Sequence, residues 1–204
     1  MLTRIAVFVS GGGTNLQALI DAQKNDVIKS GKIELVLSSN PSAYALKRAE
    51  EAGIDGVTVS RKDSASLAEF EKNIISVLEE YRIDMIVLAG FMSILSADFT
   101  KRYENRIINV HPSLIPSFCG KDYYGLRVHE AALAKGVKVT GATVHFVNEI
   151  PDGGDIILQK PVKILKKDTA ETLQKRVMKN AEWIILPRAC EMVAKVIAKS
   201  KKEK

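Results

Sequence analysis

The feature that most constrains this chain is a series of short apolar runs alternating with helical patterns. Ile5-Ala6-Val7-Phe8-Val9 is the first of them and is continuous, and residues 33–37, 84–88 and 107–110 are apolar except for one residue each. A strand without polar alternation has no face left for water, so it belongs in a sheet covered on both sides, usually a parallel one. The intervening segments supply the covers. Leu16, Leu19 and Ile20 recur at helical spacing; residues 43–52 read as a helix closed by Gly53; and Leu67, Phe70, Ile74 and Leu78 form one stripe. Residues 57–59 read as a short strand and 98–103 as a short helix.

The second half differs. Residues 140–147 alternate, with Ala142, Val144 and Phe146 on one face and Thr143, His145 and Val147 on the other. Residues 156–164 are extended, and Pro161 assigns that run to a sheet edge. Asp168 reads as the start of a long helix with Glu171 as its capping-box partner, and Pro187 as a kink or a fresh start. The expectation is an α/β domain over residues 1–198, with an open twisted, mostly parallel sheet, helices on both faces and antiparallel strands toward one edge. Residues 199–204 read as a basic tail.

Composition removes other classes. With 46% hydrophobic and 26% charged residues, the chain is neither disordered nor fibrous. No apolar run approaches the roughly 18 residues of a membrane span. The apolar stretch before Ser10 is too short for a signal peptide. Two cysteines, Cys119 and Cys190, make no disulfide framework, and a reducing cytoplasm is expected. Of the net charge of +6, the lysines at 199, 201, 202 and 204, against Glu203, supply +3. No basic stripe with interleaved aromatics implies a nucleic acid.

Three segments carry chemistry. Ser10-Gly11-Gly12-Gly13-Thr14-Asn15 lies at a strand-to-helix turn, where glycines admit a ligand to the backbone and free N–H groups attract an anion. It lacks the lysine of a nucleoside triphosphate loop and the full spacing of a dinucleotide loop. It is a phosphate cradle or a tight turn. Asn109 and His111 stand two apart at the end of a buried strand, so their side chains share one direction; His111 is either functional or a satisfied polar residue. Pro151-Asp152-Gly153-Gly154-Asp155 is in the first place a turn. His111 and His145 invite a metal reading that no His-x-x-x-His or cysteine pair supports. His129 reads as a surface residue, and Cys190 and Met192 as core-side helix residues.

These segments, with Leu88-Ala89-Gly90-Phe91-Met92 and Thr143-Val144-His145-Phe146-Val147, resemble in residues and in order the phosphoribosylglycinamide formyltransferases, over essentially the whole chain to the tail. The resemblance implies a Rossmann-like fold. It also implies an enzyme that passes a formyl group from the co-substrate 10-formyltetrahydrofolate to the amine of glycinamide ribonucleotide in purine synthesis, with no metal. It makes Asn109, His111 and Asp152 the catalytic set. Gly12, Gly13, Thr14 and Asn15 would hold the ribonucleotide phosphate, with Glu182 and Lys179 toward the ribose. Met92, Ser93, Ile94 and Leu95, with Asn109 and Asn148, Glu149, Ile150, Pro151 and Asp152, would line the folate pocket. Many relatives carry arginine where Ser93 stands, and another near Leu67. The run from Phe118 to Gly125 also departs from the best-known members; its glycines and aromatics suit a mobile lid or an ordered loop, and Lys121 would offer a cation to either ligand.

Formyl transfer passes through a tetrahedral oxyanion, which wants donors aimed at the developing charge. Asn109 and a protonated His111 answer that need, and Asp152 is expected to raise the histidine pKa above about 6.5. Two other formyl-folate enzymes share an Asn-His-Asp set. A methionyl-tRNA formyltransferase would carry an extra C-terminal domain and a deformylase an N-terminal one, and the glycine-rich loop argues against both. A non-catalytic phosphometabolite-binding protein is the rival from another class. Expected partners are the small-molecule substrates, with no nucleic acid and no membrane, for a monomer or homodimer.

Overall fold

The computed structural model describes residues 1–202; Glu203 and Lys204, the end of the expected tail, lie outside the described residues. Seven strands make one sheet: β1 (Thr3–Val9), β2 (Gly31–Ser38), β3 (Asp55–Thr58), β4 (Met85–Leu88), β5 (Ile107–His111), β6 (Val139–Phe146) and β7 (Ile156–Lys163). Their spatial order is β3-β2-β1-β4-β5-β6-β7. Pairings among β1 to β5 are parallel, whereas β5–β6 and β6–β7 are antiparallel. The order reverses between β1 and β4. At such a switch point the connections leave toward opposite faces and open a crevice at the carboxyl ends of the strands.

The continuous apolar runs are explained by the layers. In β1, Ile5, Val7 and Val9 point into one core and Ala6 and Phe8 into another. The first core is closed by α1 (Thr14–Lys24), α2 (Tyr44–Glu51), α6 (Ala170–Val177) and α7 (Trp183–Ser200). The second is closed by α3 (Leu67–Glu80) and α4 (Ala97–Arg102) through Phe70, Ile74, Leu78 and Phe99. Each fully buried side chain of this size stabilises the fold by roughly 1.5–3 kcal/mol before entropy is charged against it. β7 is the sheet edge, and Pro161 pairs there with Gly141.

The structure corrects several expectations. The cap of α6 lies one residue later than expected: Thr169 accepts from Thr172 N, and the Thr172 hydroxyl takes the N–H of Thr169. Asp168 is instead committed to Leu165 N and to Arg176. The helical chain is interrupted at a π turn (Met178–Glu182), and Pro187 sits inside α7. Because α7 continues to Ser200, the expected tail begins inside a helix. Cys190 is fully buried, whereas Met192 is 49% exposed. His129, on α5 (Leu126–Lys135), is fully buried: its polar neighbours in sequence face outward while its own position turns inward with Val128 and Ala132.

Candidate active site

The glycine loop leaves β1 and enters α1 at the switch point. Gly13 occupies the N-cap position at φ +72°, in the left-handed region, and a Cβ there would stand 2.7 Å from Ala45 Cβ. Only glycine meets both conditions without strain. Ala45 N donates to the Gly11 carbonyl (3.1 Å) and Arg48 Nε to the Gly12 carbonyl (2.9 Å), so α2 takes up the loop's oxygens. No side chain caps α1. Its first N–H groups are therefore available at the positive end of the helix dipole, which suits an anion.

Asn15 Nδ2 donates to Glu182 Oε2 at 2.8 Å, joining α1 to the π turn, and Asn15 Oδ1 is buried without a partner. An orphan acceptor beside the loop fits a ligand that brings a hydroxyl. Burial pushes the Glu182 carboxyl up to about 7, against the opposing pull of the Asn15 hydrogen bond. Lys179 is exposed and makes no hydrogen bond or ion pair among the described residues, so its expected place beside Glu182 finds no contact here.

Asn109 and His111 close β5, two strands from β1, which is about 10 Å across a sheet. The antiparallel register sets His145 of β6 opposite Asn109. His145 Nδ1 donates to the Phe146 carbonyl (2.7 Å), and its Nε2 stands 3.2 Å from Asn109 Nδ2. Asp152 completes the cluster: Oδ2 lies 3.3 Å from His111 Nδ1 and Oδ1 3.4 Å from His145 Nε2. Asp152 itself has φ +57°, in the left-handed region that Asp tolerates better than most residues. The turn that carries it admits no side chain at Gly154, where a Cβ would meet the Phe146 carbonyl oxygen at 1.9 Å.

His145 was not assigned a role from sequence; its only signal is the cross-strand register, which the sequence does not display. The loop from Phe118, expected as a lid or an ordered loop, also contributes backbone contacts to His111 and Asp152. The Phe118 carbonyl lies 2.8 Å from His111 Nε2, and Gly120 N donates to Asp152 Oδ2 at 2.8 Å. His111 thus has an acceptor at each ring nitrogen, which favours the doubly protonated ring. Burial opposes this and wins: it lowers the His111 pKa below 6.5, although Asp152 and Phe118 pull upward. The expectation of a raised pKa is corrected, because the strand end is far less hydrated than a rim would be. The Asp152 carboxyl is pushed up by burial, but the His145 bond, the charge His111 carries in acid and the Gly120 N–H together hold it below its usual range. His129 lies nearby with both ring nitrogens unpartnered, and burial depresses it to about 4.

Ser93, Ile94 and Leu95 line a cleft of about 120 Å³ together with Asn109, His145 and residues 148–152. The expected folate-side residues are thus brought together, except Met92, which lies outside the lining and is 57% exposed. Met92 N instead donates to Ser10 Oγ (2.9 Å), tying this segment to the glycine loop. Leu67 packs against the second core, and Lys121 is exposed. Among the described residues, no group of three or more His, Cys, Asp or Glu side chains is placed to hold a metal ion.

The family model described as formyl transferase matches residues 3–190. The chain is 46% identical over 191 residues to the trifunctional purine biosynthetic protein adenosine-3 of Homo sapiens, covering 94% of this chain and 18% of that protein. It therefore spans less than a fifth of that relative. It is 40% identical over 173 residues to the phosphoribosylglycinamide formyltransferase of Escherichia coli, covering 85% of this chain and 79% of that one. The crystal structure of glycinamide ribonucleotide transformylase 1 from Symbiobacterium toebii superposes with a TM-score of 0.89 at 38% identity, over 96% of this chain and 89% of that one.

Proposed function

The chain belongs to the formyl transferase family, and on that premise we propose that it transfers the formyl group of 10-formyltetrahydrofolate to the amine of N1-(5-phosphoribosyl)glycinamide, in purine biosynthesis. The observation that carries this reading is the pairing of an uncapped, glycine-rich helix start with an Asn-His-His-Asp cluster about 10 Å along the same sheet edge. One molecule with a phosphate at one end and an amine at the other spans that separation.

In this reading the ribonucleotide phosphate rests on Gly12, Gly13, Thr14 and Asn15, and its ribose hydroxyls meet Glu182 and Asn15 Oδ1. The folate occupies the cleft between Ser93–Leu95 and residues 148–152. The amine attacks the formyl carbon, the carbonyl pair moves onto oxygen, and the C–N bond to the folate nitrogen then breaks. Asn109 donates to the oxyanion through Nδ2, and His111 joins it once protonated. Asp152 stabilises that proton and carries the one released by the amine, directly or through water, toward the leaving nitrogen. The Phe118–Gly125 loop acts as a cover, since Phe118 and Gly120 already grip His111 and Asp152. Residues 1–198 act as one catalytic domain, monomeric or homodimeric, in the cytoplasm. No helix among the described residues is long and apolar enough to cross a membrane.

The test is the absorbance of the deformylated folate product with and without glycinamide ribonucleotide. Product that requires the ribonucleotide supports the reading. Equal product in its absence indicates a deformylase and overturns it.

A further inference from the structure

Outside the proposed active site, a groove of about 500 Å³ runs between α1 and the start of α7. Its volume is in the range of small-molecule sites. Ala18, Ala22, Ile184 and Pro187 give it an apolar floor, and the Trp183 indole, 37% exposed, forms a wall. Thr14 marks where it adjoins the glycine loop.

Its charges are unbalanced. Arg48 and Arg188 both face the groove. Arg48 is spent on neutral acceptors, the Gly12 carbonyl and Gln17 Oε1, and has no carboxylate partner among the described residues. Arg188 makes no hydrogen bond or ion pair among the described residues. The groove's single carboxylate, Asp21, accepts from Gln17 Nε2 at 2.9 Å. Two guanidiniums set around an indole and an apolar floor match a flat ring bearing a negative group: the ring fills the floor and the indole wall, and the anion takes the guanidinium fork.

We propose that this groove is a second ligand site, for a flat aromatic anion of the sulfonate, carboxylate or phosphate-ester kind, separate from the cleft that holds Asp152. It does not depend on the formyl-transfer reading, because it is defined by binding alone.

The chain contains one tryptophan, and it stands in the groove. Trp183 emission therefore reports directly on the proposed site. The probe is anilinonaphthalene sulfonate, an aromatic anion that accepts energy from tryptophan, and the control is N-phenylnaphthylamine, which has similar rings and no charge. The full chain should quench saturably with the sulfonate. Arg188→Glu, on an exposed side chain, should weaken the sulfonate by about fivefold or more, as expected for reversing one charge within several ångströms, and leave the neutral dye unchanged. Ala18→Leu, which fills the floor, should weaken both dyes, with circular dichroism confirming that the helices persist. An unchanged sulfonate midpoint in both variants means that the dye reports from elsewhere and overturns the proposal. Equal losses of both dyes in Arg188→Glu remove the anion specificity and overturn it as well. If Ala18→Leu fails to fold, the Arg188→Glu contrast between the two dyes still decides.

Discussion

Glu182 is a buried carboxylate beside the glycine loop and Asp152 a half-buried one in the histidine cluster, and their pKa values move in opposite directions. Burial pushes both up. Glu182 has one donor to offset it, Asn15 Nδ2, and ends at about 7. Asp152 faces Gly120 N, His145 and His111, and ends below the usual carboxylate range. The number of donors, and not depth alone, decides whether a buried acid is held as an anion. On the proposed mechanism the difference is useful: the group that handles a proton during turnover stays charged, and the group that meets neutral hydroxyls has no need to.

The largest effect should come from breaking the charged member. Asp152→Asn keeps the shape but removes the charge, and kcat should fall by roughly 10²- to 10⁴-fold. The KM values for both substrates should move much less, because the loss falls on the transition state. The sign for His111 follows from its surroundings. The carboxylate is what raises its pKa against burial, so removing it depresses the histidine further, and the limb of the kcat–pH profile that reports His111 should shift to lower pH. A variant with an unmoved profile and near-normal kcat would return residues 151–154 to the role of a turn.

Glu182→Gln tests the other member through stability. The folded carboxyl, at about 7, binds its proton more tightly than the unfolded one at 4.5, so wild-type stability should fall as pH rises through that window. The gap corresponds to about 3 kcal/mol, fully lost only above about pH 7. Glutamine can still accept from Asn15 and has nothing to ionise. Urea unfolding should therefore show the variant gaining on wild type by up to that amount at pH 8, and differing little at pH 5. A gain independent of pH would mean that Glu182 is not held neutral.

Gly13→Val separates the two regions. Valine at φ +72° is strained, and its Cβ would press on Ala45. The loop that precedes Asn15 should shift, raising the ribonucleotide KM by roughly tenfold, on the order of 1.4 kcal/mol. The pH profile set by Asp152 and His111, two strands away, should hold. Steady-state titration of each substrate in turn reads the split.

How much of this was legible in the sequence varied with range. The sheet was legible because the central parallel strands are built on short apolar runs, and the glycine loop because its constraints are local. The α6 cap lay one residue from its expected place because Asp168 and Thr169 are both good caps, and the commitment of Asp168 to Leu165 N and Arg176 separates them. His145 went unassigned because its partner Asn109 is fixed by strand register, 36 positions away. The His111 titration was expected in the wrong direction for a related reason. The attraction of Asp152 can be inferred from a motif, whereas the desolvation that outweighs it depends on which segments cover the strand end, and Phe118 covers it from a loop with no regular pattern.

The smallest expected effect concerns the cleft on the Asp152 side. Ser93 lines it and makes no hydrogen bond or ion pair among the described residues. It is only partly buried, so a longer side chain can reach past it to water without displacing the core. Serine offers a folate carboxylate one weak hydrogen bond, whereas arginine offers a charged two-pronged donor. An exposed pair of that kind contributes about 0.2–1 kcal/mol, so Ser93→Arg should lower the folate KM by only a few fold. The gain should shrink as salt rises from about 0.01 to 0.15 M, where the screening length falls from about 30 to 8 Å. The ribonucleotide KM and the Asp152-dependent pH profile should stay where they are, since the new charge is aimed at the folate tail and away from the reacting atoms. A folate KM that is flat across ionic strengths would mean that the tail does not pass Ser93. The place to look would then be Lys121, whose exposed ammonium stands on the loop that already touches Asp152 through Gly120.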